Sequence, residues 1–151
     1  MHLSVVGAGE AEEEVLDLAV RVGREVARQG CILVCGGLGG VMAAACRGAR
    51  EVGGRTVAIV PGSEASSANL WAEVVVPTGI GHARNVIVVQ SGDAVIALPG
   101  LWGTLSEVAL ALKIGKPVAA VRAWRDIPGV LHEEEPERAV IAAVARATGK
   151  R

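Results

Sequence analysis

The chain has 151 residues, 51% of them apolar, and a formal net charge of -1. That is enough apolar material for one domain with a sizeable core, and the lack of clustered Lys and Arg excludes a surface built for nucleic-acid backbones or anionic membranes. The three cysteines, Cys31, Cys35 and Cys46, fall inside apolar patterns at spacings that suit neither a disulfide framework nor a zinc site, so buried, reduced thiols and no metal are expected.

In chain order, short runs rich in Val and Ile read as strands at Leu3 to Val6, Ile32 to Cys35, Thr56 to Val60, Val74 to Val76, Ala94 to Leu98 and Pro117 to Val121. Segments of helical period lie between and after them. The first carries Val15, Leu18, Ala19, Val22 and Val26 on one face and stops at Gly30. The others run from about Val41 to Val52, His82 to Gln90, Thr104 to Ile114 and Glu134 to Ala147. Strands that are apolar throughout and alternate with helices predict an α/β fold, a doubly wound, mostly parallel sheet with helices on both faces, in the manner of a Rossmann domain. The acidic runs GEAEEE and HEEEPE fall at helix starts, where carboxylates complement the helix dipole. The first residues carry no basic flank with a long apolar stretch, and no run is long enough to span a bilayer, so a cytoplasmic protein is expected.

In such folds ligands bind beyond the carboxyl ends of the strands, which directs attention to four turns. Gly7-Ala8-Gly9 begins a G-x-G pattern, but Glu12 stands where the third glycine of a dinucleotide fingerprint belongs, and the surrounding glutamates would repel a pyrophosphate; a tight strand-to-helix turn is the simpler reading. Gly36-Gly37-Leu38-Gly39-Gly40 opens a helix with bare backbone, either as a phosphate cradle or as a means of close helix–sheet packing; without a following Lys-Ser or Lys-Thr it is not a Walker loop. In Gly81-His82-Ala83-Arg84-Asn85, Arg84 falls in the first turn of a helix, where a cation opposes the dipole; it is either a clamp for phosphate or carboxylate or an ordinary surface residue. In Pro99-Gly100-Leu101-Trp102-Gly103-Thr104-Leu105-Ser106-Glu107, Thr104 and Glu107 form a capping-box pattern, yet Glu107 also suits a carboxylate that orients water or stabilises a cationic sugar.

The segments His82 to Asn85, Ser91 to Gly100 and Gly103 to Glu107, together with Gly36 to Met42, resemble the LOG superfamily, from about Cys31 to Val118. That group includes cytokinin-activating phosphoribohydrolases and the smaller molybdenum cofactor carrier proteins; the short length and the Arg84-Asn85 pair lie closer to the carriers. The resemblance implies that Gly36, Gly37, Gly39, Gly40, Gly100, Gly103 and Thr104 surround a phosphate and that Arg84 and Glu107 are the hydrolases' catalytic pair. Three positions depart from the hydrolase pattern: Cys35 and Leu101 replace glycines, and Asn85 replaces a lysine.

Two functions follow as expectations. One is a carrier or binding protein that holds a phosphorylated heterocycle, molybdenum cofactor or a nucleotide; the alternative is a phosphoribohydrolase acting on a nucleoside 5'-monophosphate. Lysine decarboxylation is excluded, since the lysines Lys113, Lys116 and Lys150 stand late in helices or at the tail, away from any pocket for a Schiff base. With no Phe or Tyr, stacking on a ring falls to a tryptophan, and Trp102 is best placed. Only 21% of residues are charged, which leads us to expect a homodimer or higher homo-oligomer.

Overall fold

A computed structural model describes residues 1–149. Seven parallel strands form one sheet in the order β4-β3-β2-β1-β5-β6-β7. They are β1 (His2–Val6), β2 (Ile32–Cys35), β3 (Thr56–Val60), β4 (Val74–Pro77), β5 (Ala94–Ala97), β6 (Val118–Val121) and β7 (Val130–Glu133). The helices are α1 (Glu13–Arg28), α2 (Val41–Glu51), α3 (Arg84–Ser91), α4 (Trp102–Lys113) and α5 (Pro136–Gly149). A 3-10 turn, Gly81–Ala83, runs directly into α3.

Side chains alternate across the strands, and each face has its own core. Leu3, Val5, Leu33, Cys35 and Ile96 pack under α1, α2 and α5, whereas Val6, Val34, Val95 and Ala97 pack under α3 and α4. The doubly wound expectation therefore holds, with the inner strands buried on both faces because helices cover both, while the edge strand β4 stays largely exposed.

The sequence reading missed β7. Its four residues, Val-Leu-His-Glu, are half polar because β7 is an edge strand, and it follows β6 through residues 122–129 without a helix. A parallel crossover normally takes about a dozen residues or more. Here Arg122 and Trp124 adopt positive φ, 53° and 58°, within the shortened connection. The acidic runs do lie around helix starts, with Glu13 and Glu14 opening α1 and Glu137 opening α5. They also form surface ion pairs: Arg21 bonds Glu135 and Glu137, and Arg122 bonds Glu14. Among the described residues no helix is long and apolar enough to cross a membrane.

The chain adds strands outward from β1 to β4, then returns to the other side of β1 for β5. This reversal puts a crevice between the carboxyl ends of β1 and β5, flanked by the turns after β2 and β5.

Candidate functional site

A cavity of about 440 Å3 occupies that crevice. Its walls come from Gly7 to Glu10 after β1, Gly36 after β2, Met42 of α2, His82 to Asn85 at the start of α3 (Ala83 excepted), and Leu101, Gly103, Thr104 and Glu107 around the start of α4. The two glycine turns, far apart in sequence, thus face one space.

Arg84 is its most informative residue. The side chain is only 7% exposed, because the 3-10 turn carries it inward rather than leaving it at the surface. One terminal nitrogen, Nη2, donates to the Gly36 carbonyl at 3.1 Å, and Nη1 donates to Asn85 Oδ1. Nε is buried without a hydrogen-bond partner among the described residues. Burial pulls its pKa down, opposed by Glu107 and Cys35, but a guanidinium keeps its charge throughout the physiological range. A buried guanidinium lining an open cavity can pair there with an anion, which offsets the cost of its burial.

Glu107 lines the same cavity and is also 7% exposed. Burial pushes its pKa up to about 7, with Arg84 pulling the other way. It is not a helix cap. Of the two readings of T-x-x-E, the capping box fails because α4 begins at Trp102, with Leu101 as N-cap, so Thr104 is the third helical residue and Glu107 the sixth, and no side chain among the described residues caps the helix. The Leu105 amide already bonds the Leu101 carbonyl at 2.9 Å, showing that the helix starts earlier than the T-x-x-E pattern suggests. The start of α4 thus borders the cavity through Leu101, Gly103 and Thr104, and no side chain among the described residues caps it.

The α2 end differs. Its first amide, Val41 N, donates to Ala8 O at 2.9 Å, and Gly40 sits so close to the first turn that a Cβ there would lie 2.4 Å from Ala8 O. A Cβ at Gly37 would lie 2.7 Å from Val60 Cγ1. Of the glycine positions singled out from sequence, Gly36 and Gly103 line the cavity with Thr104, Arg84 and Glu107, whereas Gly37, Gly39, Gly40 and Gly100 do not. Gly100 lets the turn fold over Thr104, whose Oγ1 would be 2.1 Å from a Cβ there. Trp102 is 83% exposed and stands outside the lining residues. The departures are also placed: Cys35 points away from the cavity toward Cys46, Leu101 stands at its edge 79% exposed, and Asn85 orients Arg84.

Sequence reasoning did not anticipate that the Gly7 to Glu10 turn forms part of the wall, although its position after the first strand was a signal. Nor did it anticipate Trp124, whose indole N–H donates to Leu98 O at 3.0 Å and fixes the strand end ahead of Pro99 and Gly100. Lys113 and Lys116 do not line the cavity; Lys116 Nζ donates to the Gln90 and Gly92 carbonyls, and Lys150 lies outside the described residues.

Comparison with known proteins agrees with this fold. An uncharacterised protein from Archaeoglobus fulgidus is 47% identical over 140 residues, covering 93% of this chain and 92% of its own. A Mycobacterium tuberculosis cytokinin riboside 5'-monophosphate phosphoribohydrolase is 35% identical over 133 residues, covering 82% of this chain and 71% of its own. Among solved structures, the molybdenum cofactor binding protein from Rippkaea orientalis superposes with a TM-score of 0.88 at 32% identity, over 97% of this chain and 95% of that one. The Moco carrier protein from Chlamydomonas reinhardtii gives 0.86 at 33%, over 99% and 98%. The SLOG cluster4 family model matches residues 1–148, and the chain belongs to that family.

Proposed function

We propose that this protein binds a small phosphorylated heterocycle, molybdenum cofactor or a nucleotide, and holds it without altering it. The observation that carries the reading is Arg84, a buried cation that lines the cavity beside the uncapped N-terminus of α4 and keeps one N–H without a partner among the described residues. A phosphate there meets a fixed guanidinium and the positive end of a helix dipole. The cavity volume is in the range of small-ligand sites. The likeness to molybdenum cofactor binding and carrier proteins extends over nearly the whole of both chains.

The alternative is cleavage of the N-glycosidic bond of a nucleoside 5'-monophosphate, favoured by one observation: Glu107 shares the cavity with Arg84 and is poised near neutrality. Such a carboxyl is suited to stabilise an oxocarbenium-like sugar or to activate water. Calorimetry and thermal shift with AMP and with molybdenum cofactor, alongside assay of released base, separate the two. Holding predicts saturable binding, no free adenine, and at least tenfold weaker binding in Arg84→Ala, the scale of one lost charge-assisted hydrogen bond. Release of base that Glu107→Ala abolishes supports cleavage instead, and no melting shift with any phosphorylated ligand overturns both.

The exposed apolar residues Leu70, Ile80, Leu101 and Trp102 support a homodimer or larger homo-oligomer. Light scattering at micromolar concentration tests this, and a monomer refutes it.

A further inference from the structure

Behind the Gly36 wall lies a pair of groups that ligand binding does not use. Cys35 ends β2 and Cys46 lies midway along α2; both are fully buried, and their Sγ atoms are 3.5 Å apart. The Gly37 amide donates to Cys35 Sγ at 3.3 Å. Cys31 is remote from this contact, its Sγ instead facing Gln29 O at 3.7 Å.

We propose that Cys35 and Cys46 are an oxidisable dithiol, and that the disulfide they form loosens the seat of Arg84 and so weakens anion binding in the adjacent cavity. The second half of this proposal rests on the binding function above. A disulfide requires the sulfurs to approach to about 2.05 Å, a further closure of roughly 1.5 Å. With hydrogen peroxide as oxidant, Cys35 Sγ attacks one oxygen, the O–O bond breaks, and a sulfenic acid and one water result. Cys46 Sγ then attacks the sulfenic sulfur; the S–S bond forms, hydroxide leaves, and it takes the Cys46 proton as a second water. Two thiols are oxidised and one peroxide is reduced to two waters.

Cys35 is the attacking sulfur. The contact with Cys46 Sγ, in which either thiol can donate, the Gly37 N–H that donates to it and the nearby Arg84 all favour its thiolate despite burial. Cys46 is pushed up by the contact with Cys35 and by burial.

The coupling to the cavity is short and stiff. Cys35 is followed by Gly36, whose carbonyl anchors Arg84 Nη2. Gly36 is wedged so tightly that a Cβ on it would lie 2.6 Å from Arg84 Nη2 and 2.9 Å from Met42 Sδ. With no slack between turn and guanidinium, drawing Cys35 toward α2 moves the Gly36 carbonyl and misaligns Arg84.

The test uses the full chain, reduced and then treated with graded peroxide, alkylated and mapped by mass spectrometry. The expected product is a Cys35–Cys46 linked peptide, reversed by dithiothreitol, with Cys31 still alkylated. Cys46→Ala should give no linked peptide and leave Cys35 as a trapped sulfenic acid. Calorimetry with AMP should show affinity falling on the order of tenfold on oxidation of wild type, the loss of one charge-assisted hydrogen bond, and unchanged in Cys46→Ala. Hydrogen exchange over residues 35–42 reads the same movement without a ligand and should rise on oxidation. Two free thiols after native peroxide treatment overturn the dithiol; a link with unchanged exchange overturns the coupling. Failure of the reduced protein to bind AMP or molybdenum cofactor counts against the binding function alone, because mapping and exchange remain decisive for the pair.

Discussion

The turn after β2 has four glycines in five positions and the turn after β5 has two in four, yet the poorer one is the more open. Gly37 and Gly40 are taken up by contact with β3 and with the Gly7 turn, and the first amide of α2 already bonds Ala8 O. In the other turn a Cβ at Gly103 would meet nothing within 4 Å, and α4 begins without a capping side chain. Glycine density therefore measures how closely backbones approach, and an anion site needs the opposite, a helix end that the protein leaves unfilled.

The strongest way to break this comparison is Gly40→Ala. The methyl would meet Ala8 O and Gly9 C at 2.4 Å, from a backbone with φ of 58°. A loss of at least about 3 kcal/mol is expected, read as a drop in melting temperature or in urea midpoint; a neutral variant would make this turn adaptable rather than packed.

A second, pH-dependent test concerns Glu107→Gln. The folded carboxyl holds its proton up to about 7 against an unfolded value of 4.5, so its ionisation carries almost no penalty at pH 4 and destabilises the fold progressively as pH rises through that window. Above pH 7 the penalty reaches up to about 3 kcal/mol, which the neutral glutamine removes. Melting curves of variant and wild type should converge at pH 4 and separate in the variant's favour at pH 8. Phosphate affinity at pH 8 should rise in the variant too, since an ionised carboxylate beside Arg84 opposes an incoming anion.

The smallest effect is expected for Gly103→Ala. At the second position of α4, with space for the methyl, it should raise stability by about 0.5–1 kcal/mol. It should also weaken binding of AMP, because the methyl stands where a ligand would approach the helix end. Calorimetry beside thermal melts shows whether stability and affinity move in opposite directions.

Residues facing a uniform environment were legible from sequence. The inner strands β1, β2, β3, β5 and β6 announced themselves because burial on both sides favours apolar runs, and the exposed edge strand β4 did so through its run of valines, whereas the other edge strand, β7, is short and half polar. The grouping of Arg84, Glu107, Gly36 and Gly103 was legible through strand-end logic and family pattern. The roles of Thr104 and Glu107 were not, because a T-x-x-E pattern fixes a register only if the helix starts at the threonine, and here backbone bonding begins it two residues earlier. The inward turn of Arg84 was equally hidden, since its anchor is a carbonyl 48 residues away. Trp124 lay in a segment without periodicity, and its bond to Leu98 O exists only once β6 and β5 are side by side.

Ala8 stitches the crevice together through its main chain alone: its N–H bonds Pro99 O at 3.1 Å and its carbonyl receives Val41 N. A proline there would cut one of those stitches, while almost any other side chain leaves both intact. Because the frame is sewn with amides rather than side chains, the ligand-facing residues are free to drift, and descendants of one ancestor can be retargeted to new cargo without being refolded.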